Sequence, residues 1–328
     1  MNRRKTFRSF VYFCLILILV LVMLYSGLRI LESTVLHSGG GETEQYQSRT
    51  IVRDGVQYYP RQDITVVMVL GIDESGPMES SGSYMNKGAA DVVLLAVFDE
   101  ADQTCDVLQL NRDTMLQMPV LGLGGRKAGT FFGQLALSHT YGTGLADSCE
   151  NTMETVSEYL GGITIDHYVA MNMDAIAIMN DAVGGVTVEV TDDFSQVDPT
   201  IGKGRVPLNG QQATHFVRSR QGVGDQLNVS RMARHREYAM GFLEAFRAAW
   251  KSSAGFLAET YETMLPYMVT DCTVNTISGF LDRYGEYTVN PPVTPAGESV
   301  MGEEFYEFYA DEAQLDALIL DLFFAPKQ

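Results

Sequence analysis

Arg218, Arg220, Arg231, Arg234 and Arg236 fall within nineteen residues, RSRQGVGDQLNVSRMARHR, of a chain with 23 basic and 41 acidic side chains and a net charge of −18. Each guanidinium presents a planar fork that matches carboxylate or phosphate oxygens two at a time. Two readings follow: a pocket for a phosphorylated substrate, or a basic helix face salt-bridged to neighbouring acids. Acids stand at the ends of apolar runs upstream: Asp73 closes ITVVMVLGID, Asp91 opens DVVLLAVF, and Arg112-Asp113 follow CDVLQLN. Ligands of open α/β sheets bind at strand ends. Paired carboxylates there suit a hard cation such as Mg²⁺, which prefers oxygen ligands and bridges to phosphates. Taken singly, each Asp has a simpler reading as a cap or turn residue.

The elements that position these groups are legible from periodicity. Residues 64–71, 91–99 and 105–110 read as buried strands, and the polar 99–102 turn makes the last two an antiparallel hairpin. A helix is expected over 148–160, ended by Gly161-Gly162, then a strand in IDHYVAMN, a helix in MDAIAIMNDAV and a strand in VTVEV. A short helix over 211–218 and a long one over 229–250 follow, the latter carrying Arg231, Arg234 and Arg236. Strands alternating with helices predict a layered α/β domain with a mixed central sheet. Beyond Lys251 two further helices, a loop at Asn290-Pro291-Pro292 and an apolar helix near 311–323 are expected to pack on that domain.

The first 31 residues contain no acid, and Arg3, Arg4, Lys5 and Arg8 precede the apolar run FVYFCLILILVLVMLY. Extended to about residue 30, this run has the length a bilayer core demands. The basic flank predicts residues 1–9 in the cytoplasm, 10–31 as a membrane anchor, 32–60 as an extracytoplasmic stalk and 61–250 as the main domain, with 251–328 a C-terminal extension. A cleaved signal peptide is the rival, disfavoured by the length of the run. The 23 basic residues less those four leave 19 against 41 acids, near −22. A nucleic-acid partner is therefore not expected. Of the cysteines beyond the apolar run, Cys105 and Cys149 are expected to pair as a disulfide, leaving Cys272 unpaired. No Cys or His pair has the spacing of a zinc motif, so no zinc site is expected.

The succession LGID, AAD-VVLL, LNRDT, VGGVTVEV, LNGQQATHFVRSR and D-x₅-R-x₂-RHR resembles the LytR–CpsA–Psr family over roughly residues 63–246. The resemblance implies a layered α-β-α fold and a membrane-anchored envelope enzyme. Its activity would be Mg²⁺-dependent phosphotransfer, moving a glycopolymer from a polyprenyl-pyrophosphate carrier onto a peptidoglycan acceptor. It implies Asp73 and Asp91 as the Mg²⁺-associated acids of the GxD and RSD motifs, and Arg112 with Asp113 as the PRD pair. Arg112, Arg218, Arg220, Arg231 and Arg234 are implied on the pyrophosphate. Asp225 matches the acid after the RSR arginines, and His235 stands where a glutamine is common. Asp91 or Asp113 is the candidate base for the incoming hydroxyl. The helix over 173–183 and the apolar face of the helix after Val229 would line a lipid channel, or else form ordinary core.

The chain also departs from the family's pattern. Ala89 and Ala90 replace the arginine and serine of RSD, Asn111 the proline of PRD, and Gln134 and Ala136 a lysine and an asparagine. Two cations are thus missing near the phosphates, for which Lys87, Arg126 or Lys127 are the candidate substitutes. The departures leave two further readings beside the transferase: a non-catalytic polyprenyl-phosphate-binding scaffold or regulator, and a lipid pyrophosphatase.

Overall fold

A computed structural model describes residues 50–326 apart from Asp54, Arg220, residues 225–227 and Ala254. The expected cytoplasmic tail, the anchor and most of the stalk, together with Arg220 and Asp225, lie outside the described residues. Among the described residues no helix is long and apolar enough to cross a membrane.

The strands in chain order are β1 (Ile51–Arg53), β2 (Val56–Pro60), β3 (Ile64–Ile72), β4 (Ala90–Asp99), β5 (Thr104–Leu110), β6 (Met115–Leu121) and β7 (Lys127–Gln134). They continue as β8 (His167–Asn172), β9 (Val186–Val190), β10 (Gly204–Leu208), β11 (Met268–Thr270), β12 (Thr288–Val289), β13 (Gly297–Met301), β14 (Tyr306–Ala310) and β15 (Phe324–Pro326). The α-helices are α1 (Ala146–Tyr159), α2 (Met173–Ala182), α3 (Gly210–Arg218), α4 (Asn228–Ser252), α5 (Phe256–Met264), α6 (Val274–Tyr284) and α7 (Glu312–Phe323).

The central sheet is mixed, as expected, with the order β11-β8-β3-β4-β5-β12. β3, β4 and β5 pair antiparallel in sequence, the β4–β5 hairpin turning at residues 100–103, while β8 runs parallel to β3. Strand β11 is antiparallel to β8 and β12 is parallel to β5, so both edges of the sheet come from beyond residue 251. Parallel pairing of β3 with β8 requires a crossover. That crossover contains the β6–β7 hairpin and α1.

Strand side chains alternate between faces. On one face Val66, Met68, Leu70 and Ile72 pack in one buried cluster with Cys149 and Val156 of α1 and with Leu315 and Ile319 of α7. The opposite residues, including Val69, Leu94, Ala96 and Phe98, face a cavity roofed by α2, α4 and α6. This is why β3 and β4 are apolar at nearly every position and yet only alternate residues are fully buried. Helix termini are locally encoded. Asn172 caps α2 by accepting from the amides of Asp174 and Ala175, and Asn209 with Gln212 forms a capping box at α3. Gly184 and Gly185, at φ 82° and 99°, stop α2 in a conformation that only glycine adopts without strain.

Two expectations are corrected and one element was not foreseen. The segment read as the end of a stalk is folded from Ile51 onward: β1 and β2 form an antiparallel ladder that β15 extends. Cys105 and Cys149 do not form a disulfide; both are free and buried. Cys105 points from β5 into the cavity, whereas Cys149 lies in the core on the other face of the sheet. Finally, residues 115–134 form a hairpin, β6–β7, that the Gly-rich sequence did not announce.

Candidate active site

Adjacent strand ends bring the acids together. Asp73 follows β3, where its amide donates to Ala89 O (2.9 Å), and Asp91 lies one residue inside β4. Arg112 and Asp113 occupy the turn after β5, closed by Asn111: its Oδ1 accepts from the Asp113 amide (3.0 Å) and its carbonyl from Thr114 Oγ1 (2.6 Å). Asn111 thus builds a side-chain turn where the family has proline.

Asp91 is the centre of the cluster. Arg112 Nη1 pairs with its Oδ1, and Arg231 Nη1 donates to its Oδ2 at 2.9 Å. The Arg231 side chain is only 5% exposed, so a charge-balancing partner is a condition of its burial. Arg112 Nε also lies 3.3 Å from Asp113 Oδ1. Arg218, at the last turn of α3, reaches Asp73 Oδ1 at 3.4 Å with both side chains about half exposed. Arg112, Arg218 and Arg231, with Asp73 and Asp91, form the mouth of the cavity.

Behind this mouth the cavity extends for about 720 Å³ between sheet and helices. Ile176 and Met179 of α2, Leu243, Phe246 and Trp250 of α4 and Phe280 of α6 make its interior walls. The helix faces that sequence left between channel and core therefore line a void. A charged mouth over an apolar bore of this size accommodates an amphiphile with an anionic head and a hydrocarbon tail.

The remaining predicted residues divide. Arg234 does not reach the mouth. It is buried, donating from Nε to Phe216 O (3.0 Å), from Nη1 to Asp192 Oδ2 (2.7 Å) and from Nη2 to Ser219 O, so it ties the end of α3 to α4. Arg236 donates to Gln109 Oε1 at 3.0 Å. His235 lines the cavity and donates from Nε2 to Val217 O (3.1 Å). Burial, reinforced by the Arg231 charge, pushes its imidazole down to about 3, so it is neutral at physiological pH. Asp113 is turned from the cavity toward Gln134, whose Nε2 donates both to Asp113 Oδ1 (2.9 Å) and to Tyr306 O (2.9 Å). Gln134 was legible only as a missing lysine; in the fold it holds the Asp113 carboxylate. None of Lys87, Arg126 or Lys127 lines the cavity, and Lys127 is paired with Glu154.

Among the described residues the cluster therefore balances three guanidiniums, Arg112, Arg218 and Arg231, against three carboxylates, Asp73, Asp91 and Asp113. A polyanionic ligand entering a balanced cluster needs further positive charge. Two carboxylates at one mouth, completed by ligand phosphate oxygens, are also the donor set that Mg²⁺ uses. The residues present fit such an ion.

Fold and site thus define an α/β protein with a charged mouth over a long apolar cavity. The chain belongs to the LytR_cpsA_psr family, whose profile matches residues 34–318. It is similar to the Bacillus subtilis (strain 168) polyisoprenyl-teichoic acid–peptidoglycan teichoic acid transferase TagU, 23% identical over 265 residues that cover 80% of this chain and 78% of TagU. Among solved structures, TagT bound to LIIa-WTA superposes with a TM-score of 0.62 at 20% identity, covering 86% of this chain and 96% of that one. The B. subtilis TagV crystal structure does so with a TM-score of 0.61 at 22% identity, covering 80% and 96%.

Proposed function

We propose that the protein transfers a glycopolymer from a polyprenyl-pyrophosphate carrier to a hydroxyl of peptidoglycan. The observation that carries this reading is the junction of the arginine-lined mouth with the apolar cavity, which matches a lipid pyrophosphate in both of its parts. Membership of a family with transferases among its relatives supports the same reaction class. In this reading residues 10–31 anchor the chain and the domain stands on the outer face of the membrane, where a lipid-linked glycan presents its head group.

Arg112, Arg218 and Arg231 bind the pyrophosphate, exchanging carboxylate oxygens for phosphate oxygens, and the family motif assigns Arg220 the same role. Asp73 and Asp91 are the residues that would hold Mg²⁺, which supplies the positive charge that the balanced cluster lacks. The acceptor hydroxyl attacks the phosphorus nearest the glycan. The bond from that phosphorus to the bridging oxygen breaks, and polyprenyl phosphate leaves with its charge held by the guanidiniums. Such a transfer needs positioning and electrostatics rather than a covalent protein intermediate. Asp91 takes the hydroxyl proton: it lines the mouth, whereas Asp113 is directed to Gln134 and orients Arg112.

The test uses the full chain in detergent with a synthetic polyprenyl-pyrophosphate glycan, peptidoglycan fragments and Mg²⁺, and reads glycan attachment by mass. Attachment by the wild type and its loss in Asp91→Asn is the expected result. Release of polyprenyl phosphate and glycan phosphate without an acceptor would instead make the protein a pyrophosphatase. Lipid binding without turnover would make it a scaffold, with Ala89, Ala90 and Gln134 as the reason.

A further inference from the structure

Far from the mouth, at the edge of the central sheet, the fold assembles a second group of ligating side chains. His167 opens β8, and Asp271-Cys272 follow β11 directly. The two strands pair antiparallel with Thr270 opposite Val169, so continuing the ladder brings Asp271 and Cys272 to the level of Tyr168 and His167. The turn is held firmly: Asp271 Oδ1 accepts from the Tyr168 amide (3.0 Å), Cys272 N donates to Thr270 Oγ1 (3.0 Å) and Tyr261 Oη donates to Cys272 O (3.1 Å).

Three different donor atoms converge there. His167 Nδ1 lies 2.9 Å from Asp271 Oδ2, Cys272 Sγ lies 3.6 Å from Asp271 Oδ1, and one donor atom from each residue falls within 4.8 Å of the others. Phe280 meets the imidazole edge-on at 5.2 Å and fixes its plane. Four-coordinate zinc with bonds of roughly 2.0–2.3 Å separates its ligands by about 3.3–3.8 Å. The 2.9 and 3.6 Å separations, with all three donor atoms inside 4.8 Å, lie near that range, so closure needs the side chains to shift and no rearrangement of the strands. Mixed nitrogen, oxygen and sulfur donors select a borderline-soft ion such as zinc rather than Mg²⁺. His167 and Asp271 are each about one-third exposed while Cys272 approaches from the interior. That leaves the outward position to water. An ion pair between His167 and Asp271 has no need of a thiol beside it.

We propose that His167, Asp271 and Cys272 bind one zinc-class divalent cation with water as the fourth ligand. The ion clamps β11, the sheet edge supplied from beyond residue 251, onto β8. The spacing of cysteines and histidines along the chain excludes the usual zinc motifs, and the ligands meet only because β11 returns across 104 residues to pair with β8. This site is independent of the transfer reaction.

The test is titration of the metal-free full chain with Co²⁺. One equivalent is expected to produce a near-ultraviolet thiolate-to-cobalt charge-transfer band with the visible bands of tetrahedral coordination. Zn²⁺ should displace both. Cys272→Ser should abolish the charge-transfer band and Cys105→Ser should leave it. His167→Gln, at a partly exposed position that spares the core, should weaken binding without unfolding the protein. Free Zn²⁺ at a hundredfold excess over Kd should raise the wild-type Tm by roughly 5–10 °C and leave that of Cys272→Ser unchanged. Absence of a thiolate band in the wild type, or its survival in Cys272→Ser, would overturn the assignment.

Discussion

Two arginines of the same sequence cluster, Arg218 and Arg234, are expected to fail in opposite ways when truncated. Arg218 is 45% exposed and touches Asp73, itself 51% exposed, at 3.4 Å. An exposed pair of that length contributes about 0–1 kcal/mol, and its favourable place at the C-terminal end of α3 adds a few tenths. Arg218→Ala should therefore lower Tm by less than about 4 °C in a domain of this size. If Arg218 holds the charge developing on the leaving phosphate, its loss should cost about 10²–10³ in transfer rate, as removal of one preorganised donor typically does. Arg234 is 5% exposed and satisfies Phe216 O, Ser219 O and Asp192 together. Its removal strands a part-buried carboxylate and two carbonyls, a loss of about 3–5 kcal/mol and roughly 6–20 °C in Tm. The assay is glycan attachment by mass beside thermal unfolding of the same preparations. A folded Arg218→Ala that transfers at the wild-type rate would refute the phosphate assignment. An Arg234→Ala with unchanged Tm would refute the structural one.

Other outcomes follow from the same geometry. His139 is fully buried with Nδ1 donating to Gly88 O at 2.7 Å, and burial pushes it down to about 4 from an ordinary 6.5. The unfolded chain then takes up a proton below pH 6.5 that the folded one refuses until about 4. Stability is present in full above 6.5 and falls by up to about 3 kcal/mol as pH drops through that window. Tm measured at pH 7 and 4.5 should fall less steeply in His139→Gln; an equal slope would mean that the imidazole is not held neutral. Ala239→Phe places a ring in the cavity wall and should weaken binding of a fluorescent polyprenyl phosphate at least about tenfold while moving stability by under about 1.5 kcal/mol. Unchanged binding would move the lipid elsewhere. Gln134→Ala frees Asp113 and Tyr306 O and should cost about 1–3 kcal/mol by chemical denaturation. A neutral result would show that the bonds to Gln134 are replaced by water.

The inner strands β3, β4, β5 and β8 of the central sheet were legible as largely apolar runs bounded by turn residues, and the helices by caps and glycine stops in the sequence itself, whereas the short edge strands β11 and β12 were not. The hairpins β6–β7 and β13–β14 were not, since KAGTFFGQ and GESVM lack a clean two-residue alternation and are held by tertiary neighbours. Phe308 N, for instance, donates to Asp113 O at 2.8 Å. Motif matching placed Asp73, Asp91, Arg112, Arg218 and Arg231 at one mouth, and there the fold brings them together. It misplaced Arg234, because a guanidinium read from sequence carries no record of whether its carboxylate partner is a ligand's neighbour or a buried Asp192.

Local chemistry in the chain was enough to specify which segments are strands and helices, where they stop, and that a cluster of guanidiniums would confront a cluster of acids. Such features depend on neighbours within a few residues, where caps, periodicity and turn preference act. The cavity, the separation of Cys105 from Cys149 and the meeting of His167 with Cys272 depend instead on which face of the sheet each strand shows and on the order in which strands pair. An apolar stripe has the same sequence whether it meets packed side chains or a void. Only the distance between the sheet and helices α2, α4 and α6, set by the packing of the whole domain, turns that stripe into the wall of a cavity.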